Sequence, residues 1–286
     1  MSPEMNWGMH RDYDWTIELR MENYMDDLSR RFGSRDISLN CTDDPETAHV
    51  GRAFSYHLNG PMKLREVIAR AFSLQVFLNG SLRVAAQQVE GISIKFTELV
   101  NNHSTQRHQL GNTEFEEYPF SQEPWIDDDP CVFKNPERHP ASSLLYWSKK
   151  LEPVRIMLIH AGLLSFHDTQ SRILAWSTLY KIRDTIIHFC KTKEDKDAVR
   201  KTLKTFDAAC NNISVLGIYA RHGENGTNAD PQKYGMTIEE ASSLVLELAN
   251  LKCLELIADA RTASGLISEI PEAMTSRRSP LIIDSF

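Results

Sequence analysis

Ile173-Leu174-Ala175-Trp176-Ser177-Thr178-Leu179-Tyr180-Lys181-Ile182-Arg183-Asp184-Thr185-Ile186-Ile187-His188-Phe189-Cys190 sets Ile173, Trp176, Tyr180 and Ile187 at intervals of three, four and seven. That is the period of a helix with one face turned to a core. The same spacing recurs on both sides. Trp15, Leu19, Tyr24, Met25, Leu28 and Phe32 suggest a first amphipathic helix stopped by Gly33. A block from Met62 to Leu78 follows Pro61, which takes the favoured first helical position, and Asn79-Gly80 then breaks or kinks it before a block from Leu82 to Val100. These two blocks read as a helical hairpin or one kinked helix. Further on come Leu144 to Leu164 and Ala198 to Tyr219, then a last helix through Ala260 that opens on the capping box Thr237-Ile238-Glu239-Glu240. Strict alternation of apolar and polar residues is almost nowhere seen, so the expected fold is all-α, a helical bundle.

Between these blocks the pattern lapses from 104 to 140, where Gly111-Asn112, several prolines and the acidic runs Glu114 to Glu117 and Asp127 to Asp129 mark a linker or surface excursion. The expected organisation is an N-terminal helical region over 1–103, this excursion, a C-terminal helical bundle over 141–268 and a tail over 269–286.

The 286 residues are 41% hydrophobic and 25% charged, ordinary for a globular chain. No apolar run reaches the roughly 18 residues of a membrane helix, and Met1 to Arg20 lacks the apolar centre of a signal peptide, so a non-secreted, cytoplasmic protein without membrane contact is expected. Five cysteines, Cys41, Cys131, Cys190, Cys210 and Cys253, are odd in number and form no C-x-x-C pair, which points to reduced thiols. The N-x-S/T triplets at Asn40, Asn79, Asn102, Asn212 and Asn225 carry meaning only in a secretory protein and are discounted. A net charge of −7 disfavours a nucleic-acid coat. Basic residues at Lys149-Lys150 with Arg155, and from Lys181 through Lys204, leave either a confined nucleic-acid site or a solvated helix face.

The chemistry gathers near the end of the opening stretch. Asp184 and His188 are four residues apart, so on a helix the carboxylate is placed to orient the imidazole and raise its pKa toward neutrality. His188 is then the candidate general acid or base, Asp184 its orienter, and Arg183 a phosphate stabiliser. No metal or cofactor is called for, and the missing nucleophile is a hydroxyl of the substrate, which RNA supplies as its 2′-OH. Three R-x4-H pairs occur, at Arg52–His57, Arg155–His160 and Arg183–His188, and only the last has a polar residue directly after the arginine.

Leu179-Tyr180-Lys181-Ile182-Arg183-Asp184-Thr185-Ile186-Ile187-His188 resembles the R-x4-6-H motif of HEPN domains, in which a polar residue follows the arginine and apolar residues precede it. The resemblance covers about ten residues, together with a general agreement in helix content across the C-terminal half. It implies a helical bundle and a homodimer that brings two motifs into one cleft. It also implies RNA binding or a metal-independent endoribonuclease with Arg183 and His188 catalytic and Asp184 in support.

Two other functions are expected alternatives. Arg138-His139, His160 and His167-Asp168 faintly resemble the metal ligands of HD phosphohydrolases, but Ser165-Phe166 interrupts the pattern, and Asp168 before Thr169 and Gln170 suits a helix N-cap better. From a different class, a non-catalytic helical scaffold or regulator would bind another protein through its bundle surface or the 104–140 excursion. His103 and His108, five apart, miss the spacing that lets two helical histidines share a metal, and Asp127 to Asp129 lack the alternation of a calcium loop. No G-x-x-x-x-G-K, G-x-G-x-x-G or G-x-S-x-G is present.

Overall fold

The all-α expectation is overturned by a five-stranded antiparallel sheet in the N-terminal half. A computed structural model of the chain describes residues 13–20, 25–32, 34, 36–42, 50–111, 113–121, 139–221 and 229–263. Strands β1 (Trp15–Arg20), β2 (Ser38–Thr42), β3 (Val50–Phe54), β4 (Lys95–Asn101) and β5 (Arg107–Gln109) lie in the order β2-β3-β1-β4-β5.

Two of the expected helical blocks fall on this sheet. Trp15 to Phe32 is β1 followed by a short helix α1 (Met25–Arg31), and Gly33 lies outside the described residues. In β1, Trp15, Ile17 and Leu19 are buried while Thr16, Glu18 and Arg20 face outward, the two-residue period of a strand. The Leu82 to Val100 block divides in two. Helix α2 (Leu64–Ala86) ends at Gln87, a left-handed residue with φ of 59°, and β4 then begins at Lys95. β4 escapes an alternation search because its pairing with β1 slips: Leu99 faces Ile17 and Glu98 faces Glu18, but Phe96 faces Leu19. The skipped Thr97 hydrogen-bonds its hydroxyl to the Glu18 carbonyl, and the bulge leaves Phe96 and Leu99, three residues apart, both buried.

Asn79-Gly80 does not break the second block into a hairpin, since α2 runs through both residues. The Asn79 amide instead bonds the backbone of Ile94, donating to its carbonyl at 2.9 Å and accepting from its N–H at 2.8 Å, which fixes the approach to β4. Pro61 precedes the helix, whose N-cap is Lys63.

Part of the 104–140 stretch is laid against the fold. It supplies β5, and residues 113–121 run along α2, where Glu114 pairs with Arg65, Glu116 with Arg70 at 3.0 Å, and Phe120 packs edge-on against Phe77. Asp127 to Asp129 and the 269–286 tail lie outside the described residues.

The second layer is helical: α3 (Pro140–Ser148), α4 (Glu152–Leu163), α5 (Thr169–His188), α6 (Lys193–Thr202), α7 (Lys204–Asn211), α8 (Ile213–Leu216), α9 (Pro231–Tyr234) and α10 (Ile238–Ala263). One hydrophobic core runs from the sheet through α2 into α3, α4, α5 and α10, with Ile17, Phe77, Leu158, Leu179 and Ala249 all fully buried. Burying a side chain the size of Ile17 or Leu179 contributes about 1.5–3 kcal/mol. The buried Arg83 of α2 closes the end of α4 by donating to the carbonyls of Ala161, Gly162 and Leu164. These are acceptors that a helix C-terminus leaves open. Among the described residues, no helix is long and apolar enough to cross a membrane.

Candidate functional site

Helix α5 positions the residues singled out by the sequence. It starts where Asp168 accepts a hydrogen bond from the Ser171 N–H at 2.8 Å, a cap that the sequence implies. It is held by Ala175, Trp176, Leu179, Ile182 and Ile186, all buried. Trp176 stacks on Phe206 of α7 with ring centroids 6.0 Å apart. That stacking carries the next residue, Asp207, to Arg183.

Arg183 and Asp207 form a two-pronged pair, Nε to Oδ1 at 2.9 Å and Nη2 to Oδ2 at 2.7 Å. The Nη1 of Arg183 also donates to Asp184 Oδ1 at 2.7 Å. Burial disfavours the Arg183 charge, but the bonds to Asp207 and Asp184 outweigh it and raise its pKa above the ordinary arginine value. Three of the five N–H groups of a guanidinium are thereby engaged.

Arg183 and Asp184 are therefore brought together, and His188 is not. Asp184 bonds Arg183, and among the described residues no hydrogen bond or ion pair joins it to His188. His188 is the exposed last residue of α5, its ring edge-on to Phe189 at 4.8 Å. Five residues of helix turn it about 140° from Arg183. Within one chain the arginine fork and the imidazole leave the helix on different sides.

Two groups that sequence reasoning passed over complete the surroundings of Arg183. Tyr180, counted in the apolar stripe, has the Arg183 guanidinium carbon 4.9 Å from its ring centroid and that of Arg221 only 3.8 Å away. Arg221 arrives there by a turn at Gly217, whose φ of 58° and ψ of −130° suit glycine, and by its backbone N–H donating to the Cys210 carbonyl at 2.8 Å. Among the described residues the Arg221 guanidinium makes no hydrogen bond or ion pair. A polar residue beside a Gly-containing turn was the only signal for it.

The residues of the HD-like pattern have separate local duties. His139 accepts from the Ala141 N–H at the start of α3, Asp168 caps α5, and His160 on α4 is half-buried, its pKa lowered by burial and then by the Lys181 charge. Among the described residues no group of three His, Cys, Asp or Glu side chains is placed to hold a metal ion. His103 bonds Asp14 at 2.8 Å.

A second polar cluster lies in the core between the layers. His57, fully buried, accepts the Ser121 backbone N–H on Nδ1 at 2.9 Å, so its Nε2 carries the proton and donates to Asp36 Oδ1 at 2.8 Å. The same carboxylate oxygen accepts from Lys149 Nζ at 2.8 Å. This cluster joins the loop before β2, the turn after β3, the 113–121 segment and the end of α3. Its Ser121 Oγ stands 3.0 Å from Nδ1, but that nitrogen's lone pair is engaged by the backbone N–H.

The outer face of the sheet carries a recess of about 330 Å³ lined in part by Thr16, Glu18, Arg52 and Arg107. Arg107 is tied there to Glu18 and Glu98. Comparison of the chain with protein-family models, curated proteins and solved structures returns no match.

Proposed function

We propose that this protein binds RNA on the Arg183 flank of α5 and holds it without cutting it. The observation behind this reading is the Tyr180 ring with two guanidinium carbons over it, that of Arg183 at 4.9 Å and that of Arg221 at 3.8 Å. A cation on an aromatic face is the kind of surface that receives unstacked bases and phosphates, and the Arg183–Asp207 fork holds the first of the two cations in place. Cleavage would need more. Attack of a 2′-OH on the adjacent phosphorus forms the 2′-O–P bond, breaks the P–O5′ bond and leaves a 2′,3′-cyclic phosphate. His188 would have to take the 2′ proton or give one to the 5′ oxygen. In this chain His188 has neither the Asp184 bond nor a position on the arginine's side, so the acid/base step would fall to a second copy in a homodimer.

The test is incubation of purified protein with a mixed structured RNA in EDTA, beside His188→Ala, followed by native and denaturing gels. Retarded RNA of unchanged length with both proteins is the expected result. Shortened RNA that His188→Ala abolishes would establish metal-independent cleavage instead. Absence of any retardation would sink the RNA reading.

A second reading, a scaffold that binds another protein or its own copy, draws on Leu163 and Leu174, which stand 48% and 59% exposed near the α4–α5 turn. Sedimentation of wild type beside Leu174→Glu checks it: a heavier species lost in the variant supports this reading, and a monomer in both counts against self-association through this patch.

A further inference from the structure

We infer that Arg221 is the phosphate-contacting residue of this site, presented on the ring of Tyr180, and that the ligand it takes is the backbone of single-stranded RNA. The inference rests on the RNA reading above and changes which arginine does the work. The sequence points to Arg183, but its guanidinium is spent on two carboxylates. An arginine balanced by Asp184 and Asp207 is a poor anion receptor, because a phosphate must displace or tolerate both negative charges. Arg183 is better described as the positioning residue that neutralises those carboxylates and packs against Tyr180.

Arg221 has the opposite situation. It is exposed, its guanidinium carbon lies 3.8 Å from the Tyr180 ring centroid, and among the described residues no carboxylate engages it. A surface arginine in free solution samples many rotamers and loses that freedom when it binds. One already parked on an aromatic face by cation–π attraction has surrendered part of it beforehand. Its placement is built in from below, by the Gly217 turn and by the Arg221 N–H bond to Cys210. A guanidinium whose central carbon sits over a ring keeps N–H groups round its edge available to phosphate oxygens. The second arginine on the same ring adds positive field without competing for the phosphate.

Single-stranded RNA fits this arrangement better than a duplex does, since a lone cation–aromatic shelf suits an unstacked nucleotide, and a net charge of −7 gives little support for tracking a long duplex.

The experiment is fluorescence anisotropy of a short, labelled, mixed-sequence RNA across a salt series, with full-length wild type, Arg221→Gln and Arg221→Lys. Thermal melts confirm that each variant is folded. Arg221→Gln is expected to weaken binding about tenfold, the effect of one lost charge-assisted hydrogen bond. It should also reduce the slope of log K against log salt by about 0.7, the signature of one lost phosphate contact on a single strand. Arg221→Lys should keep the slope and lose part of the affinity. If wild type binds RNA and Arg221→Gln binds equally with an unchanged slope, the Arg221 assignment is wrong and RNA binding stands. If wild type does not bind RNA at any salt concentration, both fall.

Discussion

Gly80 of α2 and Gly162 of α4 meet where the two helix backbones touch. A Cβ on Gly80 would sit 2.0 Å from the Leu158 carbonyl oxygen and 3.1 Å from the Gly162 nitrogen, and one on Gly162 would sit 2.0 Å from the Val76 carbonyl oxygen. The obstructing atoms are backbone, so no rotamer change relieves them and the helices must move apart. Gly80→Ala and Gly162→Ala are each expected to destabilise the protein by about 3 kcal/mol, the upper end of overpacking costs. Urea unfolding measures this, and a loss of less than about 1 kcal/mol would mean the two helices part at the crossing at little cost.

The same pair shows what was legible in the sequence. Gly80 reads as a helix breaker because local propensity sees only a missing side chain, whereas its role is set by Leu158, far along the chain. Features made within one turn were readable: the Asp168 cap on α5, and the Thr237–Glu240 box, whose two reciprocal bonds measure 2.8 and 3.1 Å. Strand β1 alternates over six residues and was readable in principle, but Trp15 and Leu19 also satisfy helical spacing. Strand β4 was not, because its bulge puts two core residues three apart. At the site, Arg183 and Asp184 are neighbours in sequence. Asp207 reaches Arg183 across 24 residues only because Phe206 packs on Trp176, a tertiary event that no local pattern encodes.

The Asp36–Lys149 pair is a buried ion pair, with side chains 3% and 9% exposed, and it shares its carboxylate with His57. Removing one partner leaves the other charge in a buried site without this counter-charge. Lys149→Met is expected to cost about 3–5 kcal/mol, and Asp36→Asn a similar amount. A double variant should cost less than the two losses added together, because neither charge of the pair then remains buried. Strict additivity in denaturant midpoints would show that the two groups do not interact.

Asp207 restrains Arg183 more than it stabilises the fold, since the pair is only partly buried, at 16% and 23% side-chain exposure. Asp207→Asn keeps the shape, removes one negative charge beside the arginines and is expected to cost about 1 kcal/mol in stability. If the flank of α5 binds RNA, the same change should tighten binding. Weaker binding by a folded Asp207→Asn would mean that the orientation of Arg183 matters more than the charge around it.

Cys210 and Cys253 are buried thiols whose pKa values burial pushes up to about 12. Thiolate is the reactive form, so neither should react with a thiol reagent near pH 8 in the native state, and both should react on unfolding. Cys190 is also raised by burial. Mass spectrometry after timed alkylation reads this directly, and rapid native labelling of Cys210 or Cys253 would contradict their burial.

His160 makes stability depend on pH in a defined direction. Its folded pKa is lowered from 6.5 because burial, and then the Lys181 charge, disfavours the imidazolium. Above about pH 6.5 the imidazole is neutral in both states and contributes nothing to the pH slope. As the pH falls through that value the unfolded chain takes up a proton that the folded one resists, so stability declines until the folded value is passed. Carboxylates do not mimic this: Asp168, lowered chiefly by the Ser171 backbone bond, loses its contribution only as the pH falls below its unfolded value of 3.8. The measurement is the difference between wild type and His160→Gln in urea midpoint between about pH 8 and about pH 5, which isolates this residue from the rest of the chain. That difference should stay constant above pH 6.5 and shift in favour of the variant below it. A difference independent of pH would place His160 in water in the native state and contradict its packing on α4.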